Sequence, residues 1–378
     1  MKFAILSGAY KNAGDFLIVD RTKKLIADIY PDAELVTYMR NKPLEEHLPE
    51  INSCDRLIMA GGPAYMPDAY PSQIPLTENL DDIKIPICGV GMGWYGRFSV
   101  EQAVMDYGFS DKTRQLLDRL SRDGILTCRD YYTVRALEKN GYKALMTGCP
   151  AWYDIENAEK TTLRDGINIP YKKICISDPG NVTNVNQALV VTEFIKSRYK
   201  DAEIHFVFHR GIKADEWTST EMGESYTWLN DRLQKLGIIV HDISYSPNGF
   251  SVYDDCDLHI GFRVHAHIYN LSKRNISVLI EEDGRGAGVN QALGLIPLPA
   301  YDVYAAGALY GGGIVNKGLR FIHRRKYGKQ NNMLLSTLES ILTVLETNDY
   351  RIMLSAYSTM TMYYHVMRKY IESFSLSE

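Results

Sequence analysis

Phe3-Ala4-Ile5-Leu6-Ser7, followed at once by Gly8-Ala9-Tyr10-Lys11-Asn12-Ala13-Gly14-Asp15, reads as a buried strand, a glycine-bounded loop and the start of a helix. The apolar run is unbroken rather than alternating, which marks a strand covered on both faces, as in a parallel sheet. Asp15 reads as the N-cap of that helix and Pro31 as its stop. The pattern recurs outward: apolar runs at 35–38, 56–60, 85–90, 125–128 and 144–146, with helical patterns at about 100–107, 111–121 and 131–140. A polar, mixed stretch at 151–172 interrupts it. The alternation then restarts, with strands at 174–177, 203–208, 238–240, 258–262 and 277–280 and helices at about 185–199, 221–236 and up to Leu271. Two such series predict an α/β chain of two doubly wound, Rossmann-type domains facing a central cleft. The expected division is 1–160, 170–332 and a C-terminal helical segment, 333–378, that buttresses one domain.

Composition narrows the function. The 378 residues carry 42 Lys plus Arg against 46 Asp plus Glu, a net charge of −4, which removes the electrostatic case for a nucleic-acid partner. Apolar (45%) and charged (23%) fractions are those of a soluble globular protein. Tyrosine is over-used, 26 against 11 Phe, which suits sugar binding and protein interfaces equally. Cys54, Cys88, Cys128, Cys149, Cys175 and Cys256 are far apart and lack zinc spacing, so they read as reduced core thiols, and no metal site is expected. The first apolar run is too short for a signal peptide, and no stretch nears the ~18 apolar residues of a membrane span, so a cytoplasmic protein is expected.

Doubly wound sheets receive ligands at the carboxyl ends of their strands. The loop Gly8 to Asp15 offers Gly8, Asn12 and Gly14 for close approach of a ligand, and Asp15 at a helix start. Gly91-Met92-Gly93-Trp94-Tyr95-Gly96 matches G-x-G-x-x-G, but it follows a late strand and lacks the acidic residue a dinucleotide site needs. It reads as a cleft-lining loop, with Gly91 and Gly93 at the cleft. Arg129, in Cys128-Arg129-Asp130, stands at a strand end where its fork suits carboxylate or phosphate, with Asp130 as helix cap; a local surface pair is the other reading. Gly261-Phe262-Arg263-Val264-His265-Ala266 turns a strand into a helix. If the backbone is still extended there, Arg263 and His265 project to one side and form an anion site with a proton donor built in; the other reading is a helix cap with a solvated histidine. His267 reads as a packing or surface histidine, and His259 as a satisfied core one. His209-Arg210 ends another strand and lines the same cleft. Glu281-Glu282-Asp283-Gly284-Arg285-Gly286 also ends a strand, though a carboxylate run is ordinarily a solvated loop. His323-Arg324-Arg325-Lys326 reads as a solvated face or as a patch meeting anionic lipid.

Taken together, Gly8, Asn12, Gly14 and Asp15, the step Arg129-Asp130, the turn Gly148-Cys149-Pro150, and Gly261, Arg263 and His265 resemble the polysaccharide pyruvyl transferase family over about residues 1–300. The resemblance implies a GT-B-like fold. It implies phosphoenolpyruvate as donor, no cofactor, and a cell-surface glycan sugar, often lipid-linked, as acceptor, yielding a pyruvate ketal. It assigns donor binding to Arg263 and Arg129 and proton chemistry to His265. Cys149 departs from an expected Gly-Asp-Pro, and Glu281-Glu282-Asp283 stands where a basic residue is usual, leaving Arg285 as its substitute in the donor pocket. Asp15 is the candidate to position or deprotonate the sugar hydroxyl. A lipid-linked acceptor would bring the protein to the inner face of the membrane. The alternatives are a nucleotide-sugar glycosyltransferase on the same architecture and a non-catalytic glycan-binding protein; the oligomeric state stays open.

Overall fold

The computed structural model describes residues 1–96, 101–303 and 331–375. Its N-terminal lobe contains β1 (Lys2–Ser7), β2 (Glu34–Met39), β3 (Arg56–Ala60), β4 (Pro63–Tyr65), β5 (Ile87–Val90), β6 (Gly93–Trp94), β7 (Leu126–Cys128) and β8 (Ala144–Met146). The main sheet is parallel, in the order β2-β1-β3-β5. β7 and β8 form a separate parallel pair that meets the end of this sheet through Thr127, whose hydroxyl accepts from Gly91 N (2.8 Å) and donates to Gly89 O (2.7 Å). The short pair β4 and β6 has no apolar run to betray it in sequence.

The C-terminal lobe holds β9 (Lys173–Ser177), β10 (Glu203–Phe208), β11 (Ile239–Asp242), β12 (Leu258–Gly261) and β13 (Ile276–Leu279), all parallel, in the order β11-β10-β9-β12-β13. Both sheets carry buried faces on either side, as their unbroken apolar runs require: Phe3, Ala4, Ile5 and Leu6 are all fully buried. The two α/β lobes face each other in the expected GT-B-like manner. Each sheet has one reversal of strand order, between β1 and β3 and between β9 and β12, and ligands of open α/β sheets lodge at such reversals.

Two expectations are corrected. The Ala13–Ile29 helix starts at an Asn12 N-cap, so Asp15 lies inside its first turn. The C-terminal helices do not serve one domain. The Arg351–Glu372 helix begins on the C-terminal lobe, where Tyr350 and Tyr171 share a hydroxyl contact (3.1 Å) and Tyr357 donates to Asn275 O (2.9 Å). It ends on the N-terminal lobe, where Tyr30 donates to Ile371 O (2.9 Å) and Arg56 Nε to Phe374 O (3.1 Å). Between these ends its Tyr363 and Tyr364 pack on Trp152 and Tyr153, so the 151–172 stretch is held rather than loose. All six cysteines are buried free thiols. The basic cluster 323–326 lies outside the described residues.

Candidate active site

The backbone where β12 becomes the Val264–Ser272 helix sets the centre of the site. Gly261 packs so closely on Ser177 that any side chain there would overlap the Ser177 hydroxyl. Arg263 is the extended N-cap residue, and His265 lies in the first turn of the helix. Arg263 is clamped by Asp178, which follows β9: Nε donates to Oδ1 (2.7 Å) and Nη2 to Oδ2 (2.5 Å). Nη2 also donates to Tyr226 Oη (3.0 Å). His209 completes the group, donating from Nδ1 to Asp178 Oδ1 (2.8 Å) and accepting from the Tyr253 hydroxyl (3.2 Å). Burial alone would raise the Asp178 carboxyl, but the charge and hydrogen bonds of Arg263 and His209 hold it far below the usual carboxylate range. Burial pushes His209 down, so this imidazole is neutral. Among the described residues, Nη1 of Arg263 donates no hydrogen bond.

His265 faces the other lobe. Its ring lies against the first turn of the Ala13–Ile29 helix, where a Cβ on Gly14 would overlap Nδ1. Burial, and then the charges of Arg129, Arg285 and Arg263, push the imidazole down to about 3, and no described residue hydrogen-bonds to it. The helix-cap reading is therefore met for Arg263, while the histidine beside it is half-buried against the opposite lobe.

Arg129 is buried, donating from Nη2 to Trp94 O (3.1 Å), and its Nε lies 3.4 Å from Asp130 Oδ2. Asp130 is the expected helix cap, accepting from Thr133 N (2.8 Å), so the pair is internal rather than a surface contact. Arg129 occupies the space that Gly93 leaves empty, and Gly91, at φ +61, clears Gly148 O. The glycines of the G-x-G-x-x-G stretch thus seat an arginine and a neighbouring turn, and Gly93 begins a strand. Arg285 sits at the start of the Gly284–Leu293 helix, doubly bonded to Asp283 (Nη2 to Oδ2, 2.6 Å) and stacked over Tyr95.

The carboxylate run is not a solvated loop. Glu282 accepts from Asn181 N (3.1 Å) and Asn184 Nδ2 (2.7 Å), Asp283 caps a helix and grips Arg285, and Glu281 is buried with Asn290 Nδ2 at 2.7 Å. Burial raises Glu281 to about 7. His259 is satisfied by Ser177 and Ser277, and His267 is a buried packing histidine bonded to Ser277, as their positions predict.

Asp15 is half-buried. Burial pushes its carboxyl above the usual range, against the pull of Arg40, Asn12, Arg210 and Arg285. Its loop inserts into the C-terminal lobe: Ala13 N donates to His209 O (3.2 Å) and Tyr245 N to Lys11 O (2.9 Å). Lys11 Nζ is buried between Asp215 Oδ2 (2.5 Å) and Thr218 Oγ1 (2.7 Å). The structure thus brings Gly14, Asp15, Arg129, His209, Arg263, His265 and Arg285 to one interlobe site. Three members escape the motif reading: Asp178, Lys11 and Arg40. Asp178 and Arg40 each follow a strand, so the strand-end rule was the signal that pointed to them.

A family model described as polysaccharide pyruvyl transferase matches residues 12–269. No curated protein matches the chain. Among solved structures, a putative UDP-N-acetylglucosamine 2-epimerase from Listeria monocytogenes aligns at 10% identity and TM-score 0.48, over 96% of this chain and 90% of that one. An alpha-glucosyltransferase in complex with UDP aligns at 12% and 0.47, over 97% and 96%. The S. aureus MnaA–UDP structure aligns at 9% and 0.46, over 92% and 97%. The two parallel sheets themselves, rather than these distant likenesses, define the architecture.

Proposed function

The chain belongs to the polysaccharide pyruvyl transferase family, and on that premise we propose that it moves the pyruvyl group of phosphoenolpyruvate onto a sugar of a cell-surface polysaccharide or its lipid-linked precursor, in the cytoplasm. The observation that carries the reading is His265 seated against Gly14 of the opposite lobe, two residues from Arg263 and in the field of Arg129 and Arg285. Phosphoenolpyruvate brings a carboxylate and a phosphate, and guanidinium forks suit both.

The chemistry follows from that arrangement. In the free protein burial, and then the cations, keep His265 unprotonated. The anionic groups of the donor offset them, so donor binding raises the affinity of the imidazole for a proton. That proton goes to the enol methylene carbon. The adjacent carbon becomes electrophilic and takes one sugar hydroxyl, whose proton returns to His265. The bond to phosphate then breaks, and a second hydroxyl of the same sugar closes the ketal, its proton leaving with the phosphate. One C–H and two C–O bonds form, and one C–O bond breaks. Asp15, with its raised affinity for protons, is suited to orient or deprotonate an attacking hydroxyl.

A thermal-shift panel tests the donor. Stabilisation by phosphoenolpyruvate and not by UDP or GDP is the expected result. Stabilisation by UDP or GDP alone would replace this reading with a nucleotide-sugar glycosyltransferase. Sugar binding with neither donor would replace it with a glycan-binding protein.

A further inference from the structure

Each sheet reversal holds an arginine. In the C-terminal lobe it is Arg263, tied by Asp178. In the N-terminal lobe it is Arg40, directly after β2, whose backbone N–H donates to Ser7 O (2.9 Å). Its guanidinium lies between the glycines that leave β1 and β3. A Cβ on Gly8 would stand 2.8 Å from Cζ and Nε, and one on Gly62 would stand 3.1 Å from Nη1. Gly62 also has φ +72, so glycine suits that turn twice over.

Unlike Arg263, the half-buried guanidinium of Arg40 has no ion pair and donates no hydrogen bond among the described residues. A guanidinium presents five N–H donors and keeps its charge at any working pH, so a partly desolvated, unpaired one is completed by an oxyanion. Its neighbourhood says which ligand. Its guanidinium packs on Gly8, where the loop that carries Asp15 leaves β1, whereas Arg129 is seated against Gly93 and Arg263 is tied to Asp178. Arg40 therefore stands on the Asp15 side of the site.

We propose that Arg40 binds an oxyanion, phosphoryl or carboxylate, carried by the acceptor, so that the acceptor sugar is itself anionic and is recognised in the N-terminal lobe. This rests on the reading of Asp15 as the group that faces the acceptor. The test is calorimetric titration of the wild-type chain, Arg40→Gln and Arg263→Gln with four probes: phosphoenolpyruvate, glucose 1-phosphate, glucuronate and glucose. In Arg40→Gln the Kd for phosphoenolpyruvate is expected to stay within about twofold, while that for glucose 1-phosphate or glucuronate rises about tenfold or more, and glucose is unaffected. Which anionic sugar responds tells phosphoryl from carboxylate. Arg263→Gln is expected to show the reverse. Arg40→Gln should melt close to wild type, because the guanidinium gives up packing on Gly8 and Gly62 but no hydrogen bond or ion pair among the described residues. Two results overturn the proposal: Arg40→Gln weakening phosphoenolpyruvate as much as Arg263→Gln does, or both anionic sugars binding wild type and Arg40→Gln alike. Absence of phosphoenolpyruvate binding to the wild-type chain overturns the donor reading instead, and the sugar titrations still decide the role of Arg40.

Discussion

His265 and Asp178 are opposite solutions to burying a titratable group near cations. Asp178 is bonded to Arg263 and His209 and stays ionised; His265, desolvated and near arginines with no bonded partner among the described residues, stays neutral. For His265 the consequence is proton uptake on donor binding. Titrating phosphoenolpyruvate at pH 7 in buffers of different ionisation enthalpy should give heats that depend on the buffer, and His265→Ala should remove most of that dependence. The same variant should lose about 10²–10⁴ in turnover, the usual worth of one acid–base group; ketal formation at the wild-type rate would remove His265 from the chemistry. For Asp178 the consequence is structural. Asp178→Asn leaves Arg263 buried without its counter-charge and should cost about 3–5 kcal/mol in a urea titration.

Elements seat these residues through glycines as much as through strands. Gly93 belongs to β6, and a Cβ there would overlap the guanidinium of Arg129. Gly93→Ala should therefore cost only about 1–3 kcal/mol of stability, the usual penalty of overpacking, yet shrink the thermal shift given by phosphoenolpyruvate as far as Arg129→Gln does. An undiminished shift in Gly93→Ala would take Arg129 out of the donor pocket. The loop after β13 works the other way, by carboxylates. Glu281 is uncharged in the fold up to about pH 7, against about 4.3 in an unfolded chain. Folding takes up its proton between those values, so stability should fall as pH rises from about 4.5 to 7, and Glu281→Gln should flatten that part of the urea-midpoint profile.

Across the whole molecule the lobes are joined by more than the candidate site. Asp154, in the segment between the sheets, accepts from Arg21 Nη1 (2.5 Å) on the Ala13–Ile29 helix and pairs with Lys273 Nζ (2.8 Å) of the C-terminal lobe. Desolvation opposes its ionisation, but Arg21 and Lys273 together pull it down to about 2. Its contribution, on the order of 2 kcal/mol, is complete above about pH 4 and is lost as pH falls through 2, so Asp154→Asn should abolish that acid loss in urea midpoints taken between pH 5 and 2.5. The tyrosine excess has part of its explanation in the same seam. Tyr30, Tyr153, Tyr171, Tyr350, Tyr357, Tyr363 and Tyr364 line the path of the last helix from one lobe to the other.

The order of strands and helices, the parallel sheets and the strand-end positions of Arg129 and Arg263 were legible in the sequence, because unbroken apolar runs and short helical periods are local signals that survive without knowledge of neighbours. Four things were decided only by the tertiary structure. Asp178 meets Arg263 because β9 and β12 are adjacent, though 85 residues separate the pair. Gly93 makes room for Arg129, the last helix crosses both lobes, and Arg40, with no ion pair among the described residues, stands between Gly8 and Gly62. Each depends on which distant segments come to lie side by side, and neither composition nor periodicity encodes that in any one window of the chain.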